Sequence, residues 1–495
     1  MTTDSDHEPS KQGDRTGITA LTAVQLSQAI RSRAVSCVEV MTAYLSQIER
    51  FNPRVNAIVS LQRPDDLLAQ AARRDVALAQ ALRTGDTVGW MHGFPHATKD
   101  LTSTAGMVTT QGSPLFASFV PDHDSILVER LRAAGAILIG KTNVPEFGLG
   151  SHTYNAVFGT TGNAFDPSKS AGGSSGGAAV ALALNLLPVA DGSDFMGSLR
   201  NPAGWNNVFG FRPSYGRVPS GPAADVFFQQ FGIEGPMART VADLGMLLST
   251  IAGYDDRAPL SLAGDGAGFA SPLPRDFART RIGWLGDHDG YLPMEAGVLD
   301  TCERALGHFE TIGCTVDAAR VDFSMERLWR TWLVMRAFRV AGSLAATVVD
   351  RANRALVKPE ARWEIAQGAK LTGAEIYQAS VDRSTWYDAL LRLFADFDFL
   401  VLPSAQVFPF DKTIAWPRSI AGRPMDTYHR WMEVVIGGTL AGLPVLCVPA
   451  GFGPAGLPIG LQIIGRPRAD LDVLQVGYAY EQASGYGATR SPLLG

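Results

Sequence analysis

Between residues 85 and 255 the chain repeatedly changes texture. Glycine-rich loops alternate with short apolar runs such as 136–140 and with amphipathic stretches such as 125–135. Alternation of strand-sized and helix-sized segments predicts an α/β fold with a largely parallel sheet. Similar runs return near the C-terminus, as strands over 398–404, 443–451 and 460–465 and a helix over 469–483. Strands from both ends are expected to share one sheet. Earlier, apolar residues at helical spacing predict a pair of helices over 21–50, broken around Ser36 and closed by Asn52-Pro53. An alanine-rich helix follows over 65–84. The stretch 258–285, rich in Pro and Gly, is expected to be a linker or surface excursion. Residues 293–395 carry Trp329, Trp332, Phe338, Trp363 and Trp386 in a mainly helical pattern that would cover the sheet.

These readings give a tail over 1–16, expected to be disordered, and a single domain over 17–490. Its core spans roughly 85–255 and 396–485, with a helical, substrate-side segment over roughly 290–395. Hydrophobic residues make up 46% of the 495, enough for a large core, which excludes wholesale disorder. A formal net charge of −5 with scattered basic residues argues against a nucleic-acid partner. Cys37, Cys302, Cys314 and Cys447 lie far apart with no CxxC pair, which excludes a disulfide framework or zinc pattern. None of the eight histidines abuts a Cys ligand pair, so no metal is expected. His92 and His96 precede Lys99 and are read as polar loop residues. No apolar run is long enough to span a membrane, and the polar N-terminus lacks a signal-peptide core. A cytoplasmic protein with no membrane partner is the expectation.

Two motif matches fail on context. Residues 135–142, GAILIGKT, fit the phosphate-loop pattern, but Ala136–Ile139 would form a buried strand, not a loop. Residues 173–177, GSSGG, fit the nucleophile elbow around Ser175, but the stretch before them is loop where an apolar strand is required.

Lysine is the residue to follow. The chain has seven, against thirty-six arginines among its 43 basic residues, so each invites a special reading. Lys99 follows a weakly polar run that would bury it, and burial favours the neutral amine, a base. Glycine- and serine-dense AGGSSGG (171–177) leads into a small-residue helix. In GSDFMGS (192–198) a tight turn can converge its backbone N–H groups on one point, as an oxyanion requires, and Ser198 follows directly. Together these point to Ser–Ser–Lys catalysis.

At this point the sequence resembles the amidase signature family. The carrying motifs are GFPHATKDL (93–101), GKTNVPEFG (140–148), AGGSSGG (171–177), GSDFMGSLRNPA (192–203), GFRPSYGRVP (210–219), GIEGPMARTVAD (232–243) and TLAGLPVLCVPAGF with GLPIGLQIIGRP (439–467). They stand in order from 93 to 467, and the resemblance covers about 20–485. The resemblance implies an α/β/α fold with a large mixed sheet flanked by helices. It also implies hydrolysis of an amide, or of a related ester or carbamate, without a cofactor and through an acyl-enzyme. Carried over by motif, Lys99 would be the base, Ser174 the bridging serine after a cis Gly173–Ser174 peptide, and Ser198 the nucleophile. Backbone N–H groups of Phe195, Met196, Gly197 and Ser198 would form the oxyanion hole, supported by Asp194 and Arg200. The family usually writes glycine where this chain has Met196, which would put a side chain toward the acyl pocket. Arg212 replaces the commoner lysine, with no chemical consequence expected. The partner implied is a small-molecule amide, ester or carbamate, and a homodimer stays open. The alternative is one component of a glutamine-dependent tRNA amidotransferase, acting in a complex; a non-catalytic binding homologue comes third. Trp205, Trp332, Phe338 and Trp431 fit either an apolar substrate group or the core.

Overall fold

The computed structural model describes residues 15–495 apart from 229, 271 and 272. Of the tail expected over 1–16, all but the last two residues lie outside the described ones, and Arg15 opens a short helix, Arg15–Ala20. The predicted helix pair is Ala23–Arg31 and α1 (Cys37–Val55), separated where the Ser36 side chain caps α1 by accepting the Glu39 N–H. Asn52-Pro53 does not close α1. Asn52 stays helical, and its Oδ1 accepts the N–H groups of Ala57 and Ile58 at 2.9 and 2.8 Å, so the chain leaves the helix beyond Val55. The alanine-rich helix, α2 (Pro64–Thr84), stops at Gly85, whose φ of 79° is left-handed.

Two sheets organise the rest. The small one contains β1 (Ile58–Val59), β2 (Pro95–Lys99) and β3 (Ile137–Thr142) in the order β1-β3-β2, with β2 and β3 parallel. The GAILIGKT stretch supplies β3, a fully buried strand. The large sheet contains β4 (Ala190–Asp194), β5 (Phe209–Arg212), β6 (Ile233–Ala238), β7 (Arg281–Trp284), β8 (Thr315–Ala318), β9 (Phe399–Pro403), β10 (Val445–Phe452) and β11 (Pro458–Gly465). Its order is β8-β7-β9-β11-β10-β5-β6-β4. Strands from both ends share it, giving the mixed sheet flanked by helices.

Two features differ from the sequence reading. Antiparallel pairs outnumber parallel ones in the large sheet, where only β7 pairs in parallel, with β8 and β9. The connection from β10 to β11 is too short for a crossover, so those strands must run antiparallel. Secondly, β7 comes from the stretch expected to be a linker, and β8 lies inside the segment expected to be helical. Four-residue strands are too short to register against surrounding helical periodicity.

Helices α3 (Gly176–Ala183), α4 (Val241–Ile251), α5 (Met325–Leu344), α6 (Pro359–Gly368), α7 (Gly373–Asp396) and α8 (Asp470–Ser484) cover these sheets. α5, α6 and α7 pack together as the helical segment. α3 is buried from Gly176 to Leu182 because its residues are Gly, Ala, Val and Leu, with no polar face to turn outward. No helix among the described residues is long and apolar enough to cross a membrane.

Candidate active site

β2 ends on Lys99, and the alternation of a strand turns its side chain toward β4 and the N-terminus of α3. There the Nζ lies 2.8 Å from Ser174 Oγ, 2.8 Å from Ser175 Oγ, 3.0 Å from Ser193 Oγ and 3.1 Å from the Ser193 carbonyl oxygen. Lys99 is fully buried, as is Ser175, and Ser174 nearly so. Burial pushes the amine down to about 7, against the opposing pull of Asp191, Asp194 and Glu234. A neutral amine has two donors and one lone pair, so it can donate to the Ser193 carbonyl while accepting a proton from a serine hydroxyl. An ammonium could only donate.

The glycine–serine loop is held against the turn that carries Ser198. The Gly173 N–H donates to Asn201 Oδ1 at 3.3 Å, and a Cβ on Gly172 would fall 2.5 Å from the same oxygen. The Gly173–Ser174 peptide is cis, as expected. Ser198 is 5% exposed, and among the described residues its hydroxyl makes no hydrogen bond. Lys99 and Ser174 are therefore in direct contact, and Ser198 has no hydrogen bond to either.

The turn is built on Asp194. Its Oδ1 accepts the Gly197 N–H at 2.9 Å, and its Oδ2 accepts the Leu199 N–H at 3.1 Å. Arg200 grips both oxygens, at 2.9 and 3.0 Å, and reaches on to the Val435 carbonyl, Thr439 Oγ1 and Gln462 Oε1. Arg212 adds a second guanidinium, 2.6 Å from the Asp194 carbonyl oxygen and 3.2 Å from Oδ1. Burial alone would raise the Asp194 carboxyl, but Arg200 and Arg212 outweigh it and hold it well below the usual carboxylate range. Arg212 is thus part of the support, a role the sequence reading did not assign it.

The sequence reading places Gly197 among the oxyanion donors, yet its N–H is committed to Asp194, so it holds the turn. Among the described residues, the N–H groups of Phe195, Met196 and Ser198 donate to no protein acceptor. Met196 is nearly buried, its Sδ turned to Arg336 Nη1 at 3.9 Å. The Arg336 guanidinium also lies 5.4 Å from the Phe195 ring centroid. It is paired with Glu364, and its Nη2 donates to Tyr428 OH at 2.6 Å.

Sequence reasoning missed four neighbours of Lys99. Ser175, which the sequence offers only as an elbow nucleophile, and Ser193 both touch the amine. Asp191 Oδ2 accepts the Lys99 backbone N–H at 3.1 Å, and its Oδ1 meets His96 Nε2 at 2.9 Å. His96 is a buried strand residue, not a loop histidine. The period-2 alternation of HATK could have marked His96 as facing away from Ala97, toward a buried partner.

The Amidase family matches residues 39–474 of this chain. The chain belongs to the amidase signature family. It is 32% identical to a glutamyl-tRNA(Gln) amidotransferase component of Chloroflexus aurantiacus over 96% of this chain and 99% of that one. It is 31% identical to an acylamidase of Rhodococcus erythropolis, over 93% and 95%. A solved bacterial aryl acylamidase of the amidase signature family superposes with a TM-score of 0.88 at 30% identity, covering 95% of this chain and 98% of that one. This amidase signature hydrolase therefore shares its fold with relatives along nearly its whole length.

Proposed function

We propose that the protein is a stand-alone amidase that cleaves a carboxylic amide through an acyl-enzyme on Ser198. The observation that carries this reading is the buried Lys99 amine, 2.8 Å from the Ser174 hydroxyl and pushed down to about 7. In this scheme Ser198 gives its proton to Ser174 as Ser174 gives its own to Lys99, and the Ser198 oxygen attacks the amide carbonyl. The N–H groups of Phe195, Met196 and Ser198 receive the oxyanion as it develops. Lys99 then returns the proton through Ser174 to the leaving amine. Water repeats the sequence on the acyl-enzyme, releasing the acid and restoring Ser198. Asp194, Arg200 and Arg212 keep the turn rigid, so few donors need reorganise during reaction.

An apolar substrate group, aryl or alkyl, is the favoured class. Leu149, Val340, Val348, Val357 and Ala361 form a small apolar cluster against which Phe147 and Phe195 pack. Phe195 belongs to the oxyanion turn, and a Cβ on Gly148, next to Leu149, would lie 3.4 Å from Ser174 Oγ. Ester or carbamate cleavage would use the same steps. The second reading, a tRNA amidotransferase component dependent on a complex, is favoured by the 32% identity to the Chloroflexus aurantiacus protein.

The test uses the purified chain alone. It should hydrolyse aryl or alkyl amides and show little glutaminase activity; the reverse, or activity only with added partners, favours the second reading. A phosphonofluoridate should label the peptide containing Ser198, read by mass spectrometry. Stoichiometric label on Ser175, with Ser198→Ala still reactive, would overturn the triad.

A further inference from the structure

We propose that Glu234 is a positioning residue for the base, a carboxyl that faces Lys99 across Ser193 and stabilises the ammonium formed when the amine takes its proton. The inference rests on Lys99 acting as base, as set out above. β4 and β6 pair antiparallel with Ser193 directly opposite Glu234. Cross-strand partners share a face with Cβ atoms about 5 Å apart. Ser193 in turn contacts the Lys99 Nζ with both its hydroxyl and its carbonyl. Glu234 is thus the cross-strand partner of a residue that touches the amine, and Lys99 is among the charges acting on its carboxyl. Its Oε2 is buried and has no hydrogen-bond partner. A buried, unpartnered carboxyl oxygen is costly unless a nearby charge uses it.

The other groups on that side are few. β4 contributes Asp191, which shares the face of Ser193 and is occupied by the Lys99 backbone N–H and His96. β2 contributes Lys99 and His96. α3, which packs on the same strands, contains no titratable residue. Asp194, with Arg200 and Arg212, occupies the opposite face of β4. Asp243, beyond the end of β6, is turned to the Ala23 and Val24 N–H groups. Among the described residues, Lys99 is therefore the cation left for Glu234. Burial raises the Glu234 carboxyl to about 8, with Asp191 adding to the rise and Lys99 opposing it.

The sign follows from the charges. The transition state places a proton on Lys99, and a carboxylate facing the amine lowers the energy of that ammonium. When Glu234 is protonated, this help is absent. Activity should therefore rise with pH in two steps, first as Lys99 loses its proton near 7 and again as Glu234 ionises near 8. Each proton goes to solvent, and the catalytic transfers between Ser198, Ser174 and Lys99 are otherwise unchanged.

The experiment is the pH profile of kcat/KM for wild type and Glu234→Gln, with infrared difference spectra of the same proteins across the range. Glu234→Gln should erase the second rise and lower the alkaline plateau by about threefold to tenfold, the effect of roughly one unit of amine basicity. The wild-type spectrum should show a carboxylic-acid C=O band that disappears through the second step and is missing in Glu234→Gln. Should Glu234→Gln fail to fold, Glu234→Asp carries the test: it must retain both band and second rise. Superposable profiles for wild type and Glu234→Gln, or no band attributable to Glu234, would overturn the proposal. Loss of all activity on Lys99→Met is a separate result that bears on the triad, and the infrared band does not depend on it.

Discussion

Two buried lysines on neighbouring strands separate what burial does from what partners do. Lys99 on β2 and Lys141 on β3 are both fully buried, and burial pushes their amines down to about 7 and about 8. The parallel register sets Thr98 beside Lys141 and Lys99 beside Thr142, so the two side chains leave opposite faces of the small sheet. Lys141 meets Thr98 Oγ1, Thr102 O and Thr104 Oγ1 at 3.1, 2.6 and 2.7 Å, three acceptors for the three protons of an ammonium. Asp100 adds the strongest charge acting to keep it protonated. Lys99 meets three serine hydroxyls instead, each able to turn and donate. Low basicity is common to both; contact with Ser174 and Ser175 on the glycine–serine loop belongs to Lys99 alone of the pair.

The largest expected effect is therefore a difference in rate. Lys99→Met should lower kcat/KM by about 10²–10⁴-fold, the range for losing a positioned base, with the fold intact by circular dichroism. Lys141→Met should leave the rate of the folded protein close to wild type. The acid limb sharpens the contrast: as the proposed base, Lys99 would work as the neutral amine, so activity should rise with pH through about 7 and fade below it. An ordinary lysine would bring that limb to about 10. Lys141→Met should not move the limb. Equal losses from the two substitutions would mean that burial, not the serine partners, is what matters.

Much of this contrast was visible in the residues, and some was not. The scarcity of lysine and the weakly polar run before it draw attention to Lys99, and GAILIGKT reads as a buried strand over 136–140; the observed strand runs on through Lys141 to Thr142. The order of glycine- and serine-rich motifs was enough to bring out the family. What stayed hidden was set by pairing between distant strands. Ser193 and Glu234 are forty-one residues apart, and only the β4–β6 register sets them side by side. Asp191 reads as an ordinary loop aspartate until β2 lies against β4. Likewise β7 and β8 gain their identity from the sheet edge they extend, because four residues carry too little periodicity to declare a strand.

The second expected effect falls on stability. Lys141→Met leaves Asp100 as a buried carboxylate without its nearby cation, its partners the Thr110 N–H at 2.9 Å and the Thr110 hydroxyl, with the Gly112 N–H also acting on it. It should lower the unfolding free energy by about 1–3 kcal/mol, read as a lower denaturant midpoint at unchanged slope. Adding Asp100→Asn should restore part of the loss, since the stranded charge is then gone. Lys99→Met should be milder, because its serine partners can turn to one another. A Lys141→Met protein as stable as wild type would mean that its three oxygen partners are satisfied without it.

The smallest expected effect concerns the turn that carries Ser198. Met196 stands where the resemblance implies glycine, and its sulfur is spent against Arg336. Met196→Gly would remove a side chain beside the oxyanion donors and leave Arg336 facing a void bordered by Phe195 and Trp332. Longer acyl groups should then gain relative to short ones by about tenfold or less, the scale of one or two methylenes in an apolar pocket. The absolute rate should change less than the preference, since the Asp194, Arg200 and Arg212 supports that hold the turn are untouched. An acyl-length series with competing substrates measures this directly. Unchanged preference would mean that Arg336 closes over the vacated space and that Met196 serves packing alone. A large fall in rate at every chain length would instead show that the methionine stiffens the turn, which glycine, with its wider backbone freedom, cannot do.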